Sequence, residues 1–303
     1  MSALHGRMAL RRENSMALFR KKQVEQQAVP QGMYGMQGMP VQPITPRPQR
    51  RRLLSYQVAN LQGIGARARQ EDSFAVANAF DVTEIKEKGL LFVVCDGMGG
   101  MKDGKLASET AIASIRNSFA AMDRSRDLAQ QLKESVYLAA DEVFRCLGGD
   151  GGSTIVAGII FQEQLYYASV GDSFFYLKRG DGLYRLNREH NLCNELYLES
   201  IRSGTMDPRE GEESPEAVAL TQFLGMNGMS DVDCSVRPFP LQQGDVLLAC
   251  SDGVGGVLDE EEVQTALNTE DVQAMCMRLE QGIVAHARKN QDNYTALVVR
   301  CLY

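Results

Sequence analysis

No run among the 303 residues approaches the roughly 20 consecutive apolar side chains of a membrane-spanning helix, and the first 30 lack the continuous apolar core of a signal peptide. A cytoplasmic address is therefore expected. Seven cysteines, Cys95, Cys146, Cys193, Cys234, Cys250, Cys276 and Cys301, include no CxxC pair, and only three histidines occur, one of them at His5. Zinc and dithiol redox chemistry are excluded on that spacing, and the cysteines read as reduced core residues. Basic excess is missing too: 32 Lys and Arg stand against 39 Asp and Glu, a net charge of −7. Broad binding to nucleic acid is excluded, because phosphate backbones select surfaces rich in Lys and Arg. The length allows two domains of about 150 residues or one large domain.

The charge is unevenly placed. Residues 1–55 hold ten basic side chains and two acidic ones, a balance of +8 that leaves −15 for the rest, together with five of nine prolines and six of fourteen methionines. The stretch QQAVPQGMYGMQGMPVQPITPRPQ has neither helical nor strand periodicity and too little apolar surface to offset the entropy of ordering it. Residues 1–54 read as a basic tail rich in Met, Gln and Pro, disordered over 24–52, and residues 55–303 as the folded part. Met8, Leu10, Met16, Leu18 and Phe19 alternate with cations, a pattern that fits docking on an anionic surface or a solvated tail that touches only its own acidic body.

From residue 55 onward, runs rich in β-formers predict strands near 56–66, 73–80, 90–95, 153–161, 164–170, 174–178, 183–187, 232–239, 245–250 and 294–301. Helical spacing is set by Ala111, Ile115, Phe119 and Met122, by Leu128, Leu132, Val136, Ala139 and Val143, and by Val272, Met275, Leu279 and Ile283. A further helix is predicted at LCNELYLESIRSG. Two helices in succession, then strands in succession, do not fit strict βαβ alternation. The order favours an α+β fold with mostly antiparallel sheets covered by helices.

Five Asp-Gly pairs occur, and a tight turn is the ordinary use of each. Asp181 and Gly182 in KRGDGLYRL fit that use. Asp96 and Asp252 each end a strongly apolar run, LLFVVCDGMGG and VLLACSDGVGG. A carboxylate at the edge of an apolar core is costly unless paired or ligated, so these two ends call either for a plain strand-ending turn or for a cation. QED at 70–72 and QDN at 291–293 also precede strands. Carboxylates at four strand edges would form an all-oxygen cluster suited to Mg²⁺ or Mn²⁺ if the sheets bring those edges together.

Taken in order, Arg67 with QEDSF, DGMGG at 96–100, GGST at 151–154, SVGDS at 169–173, SDGV at 251–254 and DNYT at 292–295 resemble the metal-dependent protein serine/threonine phosphatases of the 2C type, in their bacterial form. The resemblance covers residues 55–303. It implies a four-layer αββα sandwich, two central antiparallel sheets flanked by helices. It implies Asp72, Asp96, Asp252 and Asp292 as carboxylates around two Mn²⁺ or Mg²⁺ ions, the carbonyl of Gly97 as a further ligand, Asp172 at a weaker third ion, and Arg67 on the substrate phosphate. Four carboxylates and two divalent cations are near neutral together, which admits a phosphate dianion that the empty cluster would repel. The resemblance implies hydrolysis of phosphoserine or phosphothreonine in proteins by metal-activated water, with no covalent intermediate.

Departures from the family pattern are Met98 and Met101, where relatives carry histidines, Gln70 for an asparagine, and Phe174 for an arginine. No side-chain general acid is assigned, and His190 reads as a loop or core residue. Arg69 shares the face of Arg67 if the strand continues that far; Thr154 and Ser173 read as packing and loop hydrogen-bonding groups. The segment 192–229, with its acidic DPREGEESPE, matches the flap that borders the site in this family. An active phosphatase on phosphorylated proteins, monomeric, is the first expectation; a catalytically weak regulatory binding domain on the same fold is the alternative.

Overall fold

The computed structural model describes residues 53–98, 103–205 and 216–303. Residues 1–52 of the basic tail and Met101 lie outside the described residues, as does DPREGEESPE except for Glu216. The fold is carried by the compact unit Arg51–Tyr303.

Eleven described strands form two sheets. One has the order β1 (Ser55–Gly63), β11 (Tyr294–Leu302), β10 (Val246–Cys250), β6 (Phe174–Arg179), β7 (Gly182–Arg185). The other has β2 (Ser73–Ala77), β3 (Leu90–Cys95), β4 (Ile155–Phe161), β5 (Gln164–Val170) and β8 (Asp233–Cys234), with β9 (Phe239–Pro240) also on β5. All of these pairings are antiparallel.

Strand alternation builds the layers. In β3, Leu90, Phe92 and Val94 face Phe175, Leu247, Ala249 and Leu297 between the two sheets. Leu91, Val93 and Cys95 face Ala111, Ile115, Leu132 and Val136 of α2 (Gly104–Ala121) and α3 (Leu128–Leu147). On the other side, Leu248, Cys250, Ala296 and Val298 meet Val263, Met275, Leu279 and Ile283. The whole run LLFVVC is buried because both of its faces are covered. The fold is the α+β, four-layer αββα arrangement anticipated above.

The remaining helices are α1 (Val82–Lys88), α4 (Leu192–Ser203), α5 (Asp252–Gly255), α6 (Glu260–Ala266) and α7 (Val272–His286). Helices α1 and α6 are too short for apolar periodicity to betray them. Their starts are written in capping chemistry instead: Asp81 accepts from the N–H groups of Thr83 and Glu84, and Asp259 and Glu262 form a capping box.

Several strands are shorter than predicted. The expected strand 56–66 ends at Gly63, where a turn through Gly65 (φ +60°) takes over. The strand 73–80 ends at Ala77, followed by Asn78 at φ 69°. The strand 232–239 is two fragments, Asp233–Cys234 and Phe239–Pro240, and Val236 between them is exposed to solvent. Asp181 does sit in the turn between β6 and β7, as read from KRGDGLYRL. The cysteines depart in part: all seven are free thiols, but Cys146 is exposed and Cys193 and Cys234 are only half-buried. The core begins one residue before the expected boundary, with Leu54 buried between the sheets.

Candidate metal centre

Antiparallel register gathers the acidic strand ends. Ser73 pairs with Cys95, so Asp72 and Asp96 leave the same end of one sheet. Cys250 pairs with Ala296 on one side and with Phe174 on the other. That places Asp252, Asp292 and Asp172 at one end of the second sheet. A cavity of about 220 Å³ opens there, with Asp96, Gly97, Asp172, Asp252, Asp292 and Arg67 in its wall. Asp72 lies behind it, fully buried.

Burial raises the proton affinity of these carboxyls. Asp72 is pushed up to about 6, chiefly by desolvation, against hydrogen bonds from Thr295 and Ser251 that favour its charged form. Burial and the Asp252 charge push Asp172 up to about 7. Asp96 rises well above the carboxylate range through burial and then the charges of Asp72 and Asp252. Asp252 rises through burial too, against its interaction with the neighbouring Asp96 carboxyl, which lowers it. These groups feel one another's charge.

The donor set fits divalent cations. It is all oxygen, and two of its atoms, Asp72 Oδ1 and Asp252 Oδ1, are buried without a hydrogen-bond partner, a state that native proteins otherwise avoid. Among the described residues no three His, Cys, Asp or Glu side chains are grouped to hold an ion as they stand. Asp72 Oδ2 accepts from the Ser251 hydroxyl at 2.9 Å. Asp292 accepts from its neighbour's Asn293 N–H at 2.8 Å and from Arg67 at 2.5 Å.

The framework beneath is tight. Gly97 has no room for a side chain: a Cβ there would lie 2.1 Å from the Gly104 carbonyl and 2.6 Å from that of Glu71. The Asp96 N–H donates to Thr154 Oγ1 at 3.1 Å, and Thr154 Oγ1 bonds Ser173 Oγ at 2.7 Å. Thr154 and Ser173 thus play the loop-bonding part expected of them. Gln70, the replacement for asparagine, accepts from the Asp72 N–H and donates to the Gly63 carbonyl.

Arg67 reaches the cavity from a turn rather than a strand, held by the Ala66 N–H on the Gln291 carbonyl at 2.8 Å. For that reason strand alternation does not carry over to Arg69. Arg69 is not in the cavity wall, and its carbonyl instead accepts from Asn293 Nδ2. Met98 does line the cavity, whereas His190 is buried elsewhere, its Nδ1 accepting from the Gly171 N–H at 3.2 Å. Phe174 lies under the Arg185 guanidinium, 3.8 Å from its ring centre.

Three participants went unassigned in the sequence. Glu71 lines the cavity. Ser251 holds Asp72. Asn293 accepts from the Glu71 N–H at 2.8 Å and donates to the carbonyls of Ile64 and Arg69. Ser251 and Asn293 each adjoin a predicted ligand aspartate, which was the available signal.

A family model for protein phosphatase 2C matches residues 56–202. The serine/threonine phosphatase stp of Listeria innocua is 31% identical over 229 residues, 72% of this chain and 87% of the relative. Protein phosphatase PhpP of Streptococcus pneumoniae is 28% identical over 192 residues, 59% of this chain and 73% of the relative. Among solved structures, the PPM Ser-Thr phosphatase MsPP of Mycobacterium smegmatis, in complex with cacodylate, is 28% identical with a TM-score of 0.64, covering 82% of this chain and 98% of that one. The catalytic domain of the phosphatase PstP, in complex with two manganese ions, shares the fold at 22% identity and a TM-score of 0.63, over 82% of this chain and all of that one. The chain belongs to the protein phosphatase 2C family.

Proposed function

We propose that the chain hydrolyses phosphoserine and phosphothreonine in proteins at the cavity ringed by Asp96, Asp172, Asp252 and Asp292. The observation that carries this reading is the convergence of buried, unpartnered carboxylate oxygens of Asp72 and Asp252 beside Asp96. Asp72, Asp96, Asp252 and Asp292, with the Gly97 carbonyl, would hold two Mn²⁺ or Mg²⁺ ions, and Asp172 a weaker third. When bound, such ions lower the pKa of water towards neutrality and offset charge on phosphoryl oxygens.

The chain's own groups do the rest. Deprotonated carboxylates lend the cluster its cation affinity; ligated, they stop repelling a phosphate dianion. Arg67, more than half exposed on the cavity rim, would exchange Asp292 for a phosphate oxygen pair. No imidazole lines the cavity among the described residues, so protonation of the departing serine or threonine oxygen falls to water. The retained carboxylates support catalysis over a purely regulatory binding role.

Unpaired thiols support the cytoplasmic reading, and no helix among the described residues is long and apolar enough to cross a membrane. Residues 192–229 are proposed to influence substrate choice, with Leu220 already at the cavity wall. The monomeric state and docking of the basic tail are further proposals; deleting residues 1–52 tests the second through localisation. The central test is turnover of p-nitrophenyl phosphate with and without Mn²⁺. Metal-stimulated turnover that Asp252→Asn abolishes while retaining the fold is expected. A parent chain that Mn²⁺ does not activate would overturn the reading.

A further inference from the structure

A second cavity of about 360 Å³ adjoins the first and shares Asp172, Asp252 and Asp292 with it. That volume is at the small end of ligand pockets, roughly 300–1,000 Å³, enough for a short stretch of side chain. Away from the shared carboxylates its character changes. Phe174 and Val257 give it apolar surface, Val218 of the segment after α4 stands 81% exposed, and among the described residues Arg288 is its one basic lining residue.

The turn that carries Arg288, an exposed residue, is fixed by the local backbone. Helix α7 ends at His286, and the left-handed φ of 46° at its cap, Ala287, turns the chain away from the helix axis. The Gln291 N–H closes the turn onto the Arg288 carbonyl at 3.2 Å, and Gln291 Nε2 fixes the turn to the Gly253 carbonyl at 3.0 Å. The turn therefore positions Arg288 just ahead of Asp292. Among the described residues no carboxylate pairs with Arg288. The other outlying charge in the wall, Glu189, is already paired with Arg185 at 2.9 Å.

Charge balance then decides what this cavity accepts. With cations compensating the shared aspartates, Glu189 is neutralised by Arg185 and one positive charge is left over at Arg288. We infer that this cavity is a substrate subsite beside the catalytic one, and that Arg288 selects phosphopeptides carrying a second anionic group near the phosphorylated residue. That group is a carboxylate or another phosphate. The inference rests on the phosphatase reading and names the substrate class for it.

The test uses the full chain with Mn²⁺ and phosphothreonine peptides that differ only in a flanking residue: Glu, phosphoserine or Lys. The parent is expected to favour the Glu over the Lys peptide in kcat/KM by about fivefold, the scale of one partly exposed ion pair. Arg288→Glu is expected to erase or invert that preference, while Lys289→Glu, an exposed neighbour outside the cavity wall, retains it. A further gain for the phosphoserine peptide identifies phosphate as the preferred anion; parity with Glu identifies any carboxylate-sized charge. Anisotropy titrations with hydrolysis-resistant phosphonate peptides should give the same order in Kd. An equal Glu-to-Lys ratio in parent and Arg288→Glu overturns the subsite while leaving the phosphatase intact. A parent that turns over no phosphate ester, p-nitrophenyl phosphate included, removes the phosphatase reading and the subsite with it.

Discussion

The Arg67 guanidinium meets the Asp292 carboxylate at 2.5 Å across 225 positions of sequence, at the rim of the acidic cavity. Two groups proposed for different tasks, one for phosphate and one for a cation, thus occupy each other in this state. The roles proposed for them require the two to part when metal and phosphate bind. Arg67→Ala is expected to raise KM for a phosphopeptide about 10- to 100-fold, the worth of a charge-assisted hydrogen bond of about 1.5–3 kcal/mol, with a smaller change in kcat. Steady-state kinetics check this, and an unchanged KM would assign Arg67 to Asp292 alone.

Like charges buried together strain the metal-free protein, so removing one should steady it. Asp96 gains proton affinity from burial and from Asp72 and Asp252. Asp96→Asn is expected to raise the melting temperature in EDTA by about 2–4 °C, the equivalent of about 1 kcal/mol in a domain this large, and to cancel the stabilisation by Mn²⁺. Thermal scans with and without metal measure both effects. A lower melting temperature in EDTA would mean that Asp96 is structural.

The pH dependence has a definite sign. Asp72 and Asp172 titrate near 6 and 7 in the fold, above the ordinary carboxylate value of 3.8. A raised folded pKa means that the fold binds protons more tightly than the unfolded chain, so this contribution is full below about pH 4 and is lost as pH rises through 6–7. Cations compete with those protons and replace that stability above the same range. Saturating Mn²⁺ at a hundred times its Kd contributes about 2.7 kcal/mol. The rise in melting temperature with Mn²⁺ is therefore expected to be larger at pH 8 than at pH 5. Equal rises at both would show that these carboxyls do not bind the metal.

How much of this was legible depended on the length and regularity of each signal. LLFVVC and VLLAC are buried on both faces and announce themselves as strands, and antiparallel pairing sets the end of β3 beside the start of β2 and the end of β10 beside the start of β11, so the aspartates there meet in pairs. Helix α6 was invisible to periodicity and readable only through Asp259 and Glu262. Arg69 was misplaced because alternation was carried past Gly63 into a turn whose path depends on a distant carbonyl, that of Gln291. Nothing local to Asn293 shows that its amide joins three backbone groups from residues 64–71; the contact exists only after β1 and β11 pair.

Asn293 gives the framework its own test. Asn293→Ala leaves the Glu71 N–H and the Ile64 and Arg69 carbonyls without this partner. The expected cost is about 3 kcal/mol, or roughly 10 °C in melting temperature, together with weaker Mn²⁺ binding because Asp72 and Arg67 sit in the loosened segment. Differential scanning calorimetry and metal titration check the two parts. A loss below about 0.5 kcal/mol would show that water replaces the amide without penalty.

The most direct measurement is an anomalous difference map, collected at the manganese edge, from crystals of the protein grown with Mn²⁺. Two peaks within ligand distance of Asp72, Asp96, Asp252 and Asp292 are predicted. Peaks confined to the exposed surface, with those four side chains bound only to one another and to Arg67, would contradict it.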